Sequence, residues 1–88
     1  MDFVHYDLNH LSTDDIVEVS LDKQANVRLL DQSNFNKYKK GQTHTCLGGL
    51  AKSSPICLSP SHSGHWYIVI DLGSYTGSIK SSVRTIKG

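Results

Sequence analysis

The chain has 88 residues and a formal net charge of +1, from 9 basic and 8 acidic residues. This near-balance gives no support to a nucleic-acid-binding protein with a basic face, and none to a polybasic membrane patch. Hydrophobic residues make up 38% of the chain, enough for one modest core, yet no apolar run approaches the ~18 residues that span a bilayer. Because the N-terminus lacks a secretory signal, we expect a cytoplasmic protein with free thiols and a single β-rich domain, residues 1–88.

The first third of the chain alternates apolar and polar residues, which is typical of half-buried strands. We predict strands at residues 2–8, 15–21 and 26–31. Only a few polar residues separate the second strand from the third. These two strands are therefore predicted to pair as an antiparallel hairpin.

The alternation stops at residues 33–40, where Phe35 and Tyr38 have the i, i+3 spacing of a helical turn. Ser33 or Asn34 is predicted to cap the start of this turn. We expect one short helix or 3₁₀ turn that plugs one end of a β-sandwich.

The middle of the chain is punctuated by glycine and proline. Gly41 is predicted to end the helical turn, and residues 42–47 to form the next strand. Gly48 and Gly49 are expected to end or bulge that strand, because glycine weakens strand interiors. A short strand is then predicted to begin at Pro55.

The most apolar stretch is residues 65–72, which has apolar side chains on both faces. This pattern predicts a central strand that is covered on both sides. Residues 78–86 carry charges on one face and are predicted to be an edge strand. The fold class is therefore all-β: a small antiparallel β-sandwich or partly open barrel of about six to seven short strands.

His62 and His65 form an H-x-x-H pair, which Cys46, Cys57 or His44 could complete as a zinc site. However, an i, i+3 pair in a turn before a strand does not converge as an i, i+4 pair on a helix does. The chain also contains no C-x-x-C or H-E-x-x-H motif. We therefore predict no metal site and no cofactor.

Cys46 and Cys57 both lie in predicted strands among apolar neighbours. Burial raises the pKa of a thiol and makes it unreactive, so both cysteines are interpreted as core residues rather than nucleophiles. No other set of acid, base and nucleophile is evident, and no catalytic residue is predicted.

Three lysines, Lys37, Lys39 and Lys40, surround Tyr38. A lysine patch with an aromatic residue is one way to bind single-stranded RNA. A single such patch in a neutral domain is more typical of a solvated turn, so no nucleic-acid partner is predicted.

Four residues at the two ends of the apolar strand are predicted to bind a ligand or partner: His62, His65, Trp66 and Tyr75. An aromatic and imidazole cluster at loop ends is typical of binding surfaces. The two ends of this strand are ~20 Å apart at ~3.3 Å per residue. The two loops therefore need not form one site, and His65 and Trp66 are the favoured half, although Trp66 is also a natural core anchor.

Several stretches together resemble a bacterial family of domains of unknown function, DUF1883. They are HYDL (5–8), VEVSL…ANVRLLD (17–31), SNFNKYKKG (33–41), LGG (47–49), SP (54–55) and GHWYIVIDLGSYTG (64–77). Members of that family occur as free-standing small proteins and N-terminal to Toll/interleukin-1-receptor-like (TIR) domains. The resemblance implies a compact β-rich fold and a bacterial, cytoplasmic setting. It implies no activity and no catalytic residue.

These features favour a non-enzymatic module that binds or senses a protein or small-molecule ligand, related to the domains that accompany TIR domains. The alternative is homotypic assembly, in which the last strand or residues 2–8 pair edge-to-edge with a second copy. A metal-dependent or Cys/His hydrolase is the third hypothesis. No membrane partner is expected.

Overall fold

The computed structural model describes residues 3–72 and 79–88. These residues form two antiparallel sheets and one helix. In chain order the elements are β1 (Val4–Leu11), β2 (Ile16–Leu21), β3 (Ala25–Asp31), α1 (Gln32–Lys39), β4 (Leu47–Ala51), β5 (Ile56–Leu58), β6 (Gly64–Asp71) and β7 (Ser81–Ile86). The predicted all-β class with one short helix is confirmed, and the sheets form a sandwich rather than a closed barrel.

The four-stranded sheet has the order β1-β6-β3-β4, and the three-stranded sheet has the order β5-β2-β7. Strand β6 therefore lies between β1 and β3, as its apolar sequence predicts. Strands β1 and β7 lie at sheet edges, which confirms the prediction that the last strand is an edge strand.

The main core fills the space between the sheets. Val17 and Val19 of β2 meet Val27 and Leu29 of β3 and Ile68 of β6, and all five are fully buried. The cluster is completed by Leu11, Ala25, Ala51, Trp66 and Ile70. Burial of a large aliphatic side chain contributes about 1.5–3 kcal/mol, so this layer is the principal stabilising feature of the fold.

Helix α1 lies on the outer face of the four-stranded sheet, against β3 and β6. Phe35 and Tyr38 are buried there against Leu30 and Val69. The prediction that the helix plugs one end of the sandwich is therefore wrong. The helix instead forms a third layer, because alternate residues of β3 and β6 leave an apolar strip on the outer face.

The predicted hairpin of β2 and β3 is also wrong. Strand β2 pairs with β5 and β7, whereas β3 pairs with β4 and β6. The three residues between them carry the chain from one sheet to the other. The two strands meet through their buried faces rather than through backbone hydrogen bonds.

Strand β4 occupies residues Leu47–Ala51, not the predicted 42–47, and it passes through both glycines. Gly48 pairs with Arg28 at φ +101, and a Cβ there would lie 2.4 Å from the carbonyl oxygen of Val27. Only glycine fits this close approach. The glycines thus permit the strand that they were expected to end or bulge.

Strand β1 begins and ends later than predicted, at Val4 and Leu11. Its pairing with β6 shifts register between Asp7 and His10, where Asn9 has φ +60. Asparagine tolerates this left-handed conformation better than most residues. The irregularity leaves the Asp7 carboxylate positioned to accept a hydrogen bond from the Asn9 backbone N–H.

Candidate binding surface

Three of the four predicted binding residues lie where β6 begins, β3 ends and α1 begins. His62 precedes β6, and its side chain is 55% exposed. His65 and Trp66 are in β6, on opposite faces of the sheet. Tyr75 lies outside the described residues.

Trp66 is 3% exposed and belongs to the core between the sheets. Its indole Nε1 donates a hydrogen bond of 3.0 Å to the carbonyl oxygen of His62. The buried indole therefore fixes the position of the segment that carries His62, and neither face of the indole ring is accessible to a partner.

His62 has both ring nitrogens next to acceptors. Nδ1 lies 3.0 Å from the carbonyl oxygen of Ser63, and Nε2 lies 3.0 Å from the Asp31 carboxylate. Both contacts are hydrogen bonds only when both nitrogens carry protons. The Ser63 carbonyl, and after it Asp31, accordingly raise the pKa of His62 above its ordinary value of 6.5.

Asp31 is the N-cap of helix α1, where it accepts hydrogen bonds from the backbone N–H and the side-chain amide of Asn34. Ser33 and Asn34 are thus wrong as predicted caps, although Gly41 does follow the C-cap residue at φ +73. Partial burial raises the pKa of Asp31, but the hydrogen bonds from Asn34 and His62 outweigh it and lower the net value. One carboxylate therefore anchors both the helix and the histidine.

His65 forms a second imidazole–carboxylate pair. Its Nε2 lies 2.6 Å from Oδ1 of Asp7 in the neighbouring strand β1. The imidazole ring is 39% exposed and stacks on Tyr67, with ring centroids 4.9 Å apart. The backbone N–H of Asn9, followed by the contact with His65, lowers the pKa of Asp7.

A continuous chain of contacts joins the two pairs. Tyr67 stacks on Phe35 at 4.0 Å and donates a 2.8 Å hydrogen bond to Gln32, the residue that follows Asp31. We define the histidine surface as Asp7, Asp31, Gln32, His62, His65 and Tyr67. The structure thus places each of His62 and His65 beside a carboxylate, and Tyr67 and Gln32 connect the two pairs.

Sequence reasoning missed the carboxylates and Tyr67. The alternation of residues in β1 indicated that the side chains of Asp7 and His5 lie on the same face of the strand. The signal for Tyr67 was its position on the opposite face of β6 from Trp66. Asp31 had a signal as well, since Asp is a strong N-cap residue.

A separate polar cluster is buried under the C-terminal half of α1. The carboxylate of Asp71 accepts hydrogen bonds from Asn26, Arg28 and Tyr38, and its side chain is 2% exposed. Burial, followed by the charge of Asp71, raises the pKa of Tyr38 to about 12. This cluster ties the helix to β3 and β6, and its carboxylate faces its hydrogen-bond donors rather than solvent.

The described residues contain no group of three or more His, Cys, Asp or Glu side chains that could hold a metal ion. Cys46 is half-buried and Cys57 is exposed, and both are free thiols. The interpretation of Cys57 as a core residue is therefore wrong, because its side chain alternates away from the core in β5.

The lysines at the end of α1 do not frame an accessible aromatic ring. Tyr38 is buried under the helix, and the ammonium group of Lys39 lies over the Phe35 ring, 4.7 Å from its centroid. A base could not stack on Tyr38 in this arrangement. Within the described ranges, the helix is also too short and too polar to cross a membrane.

The whole chain, residues 1–88, matches the model of a protein family described as Domain of unknown function (DUF1883). No curated protein and no solved structure matches the chain.

Proposed function

This chain belongs to the DUF1883 family of domains of unknown function, and we propose that it serves there as a non-enzymatic binding module. The binding site in this proposal is the histidine surface. One observation carries it: two partly exposed imidazoles, connected through Tyr67 and Gln32, each lie beside a carboxylate.

Fixed side chains favour binding because less side-chain entropy is lost when a partner orders them. Immobilising a mobile side chain costs about 0.5–1.5 kcal/mol on association. The contacts of the ring nitrogens with the Asp7 and Asp31 carboxylates have already restricted the two imidazoles, and the stacking of Tyr67 between His65 and Phe35 restricts a third ring. Tyrosine is also enriched in protein interfaces.

The contacts of His62 argue against a metal-binding role for that ring. Nδ1 and Nε2 each lie 3.0 Å from an acceptor, the Ser63 carbonyl oxygen and the Asp31 carboxylate, so neither nitrogen is open to a metal ion. The raised pKa favours the charged ring, which suits a partner that recognises charge. The proposal therefore assigns His62 to recognition.

His65 offers a complementary group. Its Nε2 lies 2.6 Å from the Asp7 carboxylate. Nδ1 has no hydrogen bond within the described part of the chain, and we assign to it a polar group of the partner.

For the setting of this module, we propose the bacterial cytoplasm, with an unidentified protein or small molecule as the ligand and a TIR domain or another neighbouring domain or subunit as the signalling partner. The resemblance to domains that accompany TIR domains supports this choice. Recognition at the histidine surface would then be relayed to the signalling partner.

The test is affinity capture with the immobilised domain from a bacterial lysate, followed by direct binding of each captured protein. The variant is His62→Ala with His65→Ala, which removes both imidazoles and leaves Trp66 and the core intact. Arg84→Ala, on the exposed side of the three-stranded sheet, is the control. We expect the double variant to lose at least tenfold in affinity, about 1.4 kcal/mol, and the control to bind as the unmodified domain does.

Equal capture by a folded double variant would contradict the assignment of the surface. Turnover of a captured small molecule by the domain would contradict the non-enzymatic role. Circular dichroism establishes that each variant is folded.

A further inference from the structure

Strand β4 is an edge without the usual protection against pairing with another strand. In the described residues it pairs with β3 alone. Residues 48–50 are exposed, and Leu50 is 54% exposed. The strand contains no charged residue and no proline. One side of its backbone therefore offers N–H and C=O groups to an extended chain.

The other three edge strands carry features that oppose pairing. Strand β1 has the charge of Asp7 and the irregularity at Asn9. Strand β7 has Arg84, and β5 is only three residues long and follows Pro55. Charges, irregular backbone, short length and proline are the means by which proteins protect edges. Among these four strands, β4 alone has no charge, no proline and no short length, and its positive φ angles fall at Gly48 and Gly49, which adopt them without strain.

The sequence of β4 is complementary to itself in an antiparallel register centred on Gly49. Leu47 would lie opposite Ala51 of a second copy, and Leu50 opposite Gly48. The exposed leucine then covers the position that has no side chain. Lys52, the nearest charge, would lie opposite Cys46, so no like charges face each other.

We propose that β4 pairs with β4 of a second copy of this chain about a two-fold axis at Gly49. The pairing joins two four-stranded sheets into one sheet of eight strands. The edge of β4 is distinct from the histidine surface, so a result that contradicts one proposal does not contradict the other. The prediction that β1 or β7 forms the contact remains a prediction, and the two edges serve as comparisons in the test.

Five paired residues span ~17 Å, which makes a small contact. We therefore expect a weak, reversible dimer that requires measurement over a wide concentration range. Sedimentation velocity from about 10 µM to about 1 mM covers the affinities of small, transient interfaces. The unmodified chain should approach twice its monomer mass of 9.7 kDa at the upper end.

Leu50→Lys should abolish the dimer, because the introduced cations of the two copies would face each other diagonally across the axis. The matched control is Val4→Lys, which changes a 43% exposed residue on the β1 edge. This control should dimerise like the unmodified chain. Both positions are exposed, so both variants should keep the circular dichroism of the fold.

Amide hydrogen exchange provides a second measurement that does not depend on a variant. The outward N–H groups of residues 47–51 should become at least tenfold more protected at high concentration, whereas those of β1 and β7 should not change. A strictly monomeric chain at about 1 mM, a dimer that survives Leu50→Lys, or protection confined to β1 or β7 would overturn the proposal.

Discussion

The buried carboxylate of Asp71 depends on several neighbouring residues for an opposite charge and for hydrogen-bond donors. It is almost fully buried, and an unpaired charge in that position costs several kcal/mol. Arg28 supplies the opposite charge, and Asn26 and Tyr38 supply further hydrogen bonds. The cluster is stable because each donor comes from an element that already packs there.

Replacement of Arg28 by methionine should lower the free energy of unfolding by about 3 kcal/mol or more, because it leaves a buried carboxylate without its cation. Chemical denaturation measures this change. The control is Arg84→Met, which breaks the exposed Arg84–Glu18 pair and should cost less than about 1 kcal/mol. Equal losses in the two variants would show that Asp71 does not depend on Arg28.

The structural roles of some residues could be predicted from the sequence, and those of others could not. The burial of Trp66 and the ending of the helix at Gly41 follow from residue type and were predictable. The partners of His62 and His65 were not, because Asp31 and Asp7 are 31 and 58 residues away in the chain. A hydrogen bond between distant segments is set by strand order, which local pattern does not contain.

Among the elements, α1 depends most visibly on its neighbours. It has only eight residues, and helices shorter than ~12–15 residues are marginal in water. The Asp31 cap and the buried Phe35 and Tyr38 compensate for its length. The same cap links the helix to His62.

Asp31→Asn should preserve the helix, since Asn caps as well as Asp, but it removes the charge that faces His62. We expect the pKa of His62 to fall towards 6.5 and to stay partly raised, because the Ser63 carbonyl remains its largest influence. NMR titration of the imidazole measures this. Asp7→Asn, next to His65, should leave the His62 titration unchanged.

The raised pKa of His62 also makes the stability of the folded state depend on pH. Protonated His62 stabilises the folded state fully below pH 6.5, and this contribution is lost as pH rises through the folded pKa. The Asp31→Asn variant should show a smaller loss over that pH range. An unchanged loss would contradict the role of Asp31.

Alternation predicted the strands better than their partners. It identified both faces of β6 correctly, because a strand buried on both sides has a distinctive sequence. It assigned β2 to β3 wrongly, because a short connection suits a hairpin and a crossing between sheets equally well. Both arrangements place Val17, Val19, Val27 and Leu29 in the core, so the pattern does not distinguish them.

For the molecule as a whole, Asp15 closes the sandwich at one end. It lies in the β1–β2 turn and accepts hydrogen bonds from the Ser12 and Gly88 backbones and from Lys87, which follows β7. The N–H groups of Ser12 and Gly88, followed by Lys87, lower the pKa of Asp15 from 3.8 to about 2. One charged residue thus joins the β1–β2 turn to the chain that follows β7.

The stabilisation from Asp15 is present above pH 3.8 and should be lost as pH falls towards about 2. Asp15→Asn should therefore be less stable than the unmodified chain at pH 6, and the difference should shrink between about pH 4 and pH 2. Denaturant midpoints at several pH values measure it. Asp14→Asn, at the exposed neighbouring position, is the control, and a similar pH profile there would contradict the assignment to Asp15.

Because β6 contributes Ile68 to one apolar layer and Val69 to the other, the face on which the helix docks exists only where β3 and β6 are paired. Gln32 and Tyr67 are consequently in contact only when the helix is docked on that pair. A partner that recognises them would distinguish the finished domain from a nascent or partly unfolded chain. Binding itself would then select folded domains over unfolded ones.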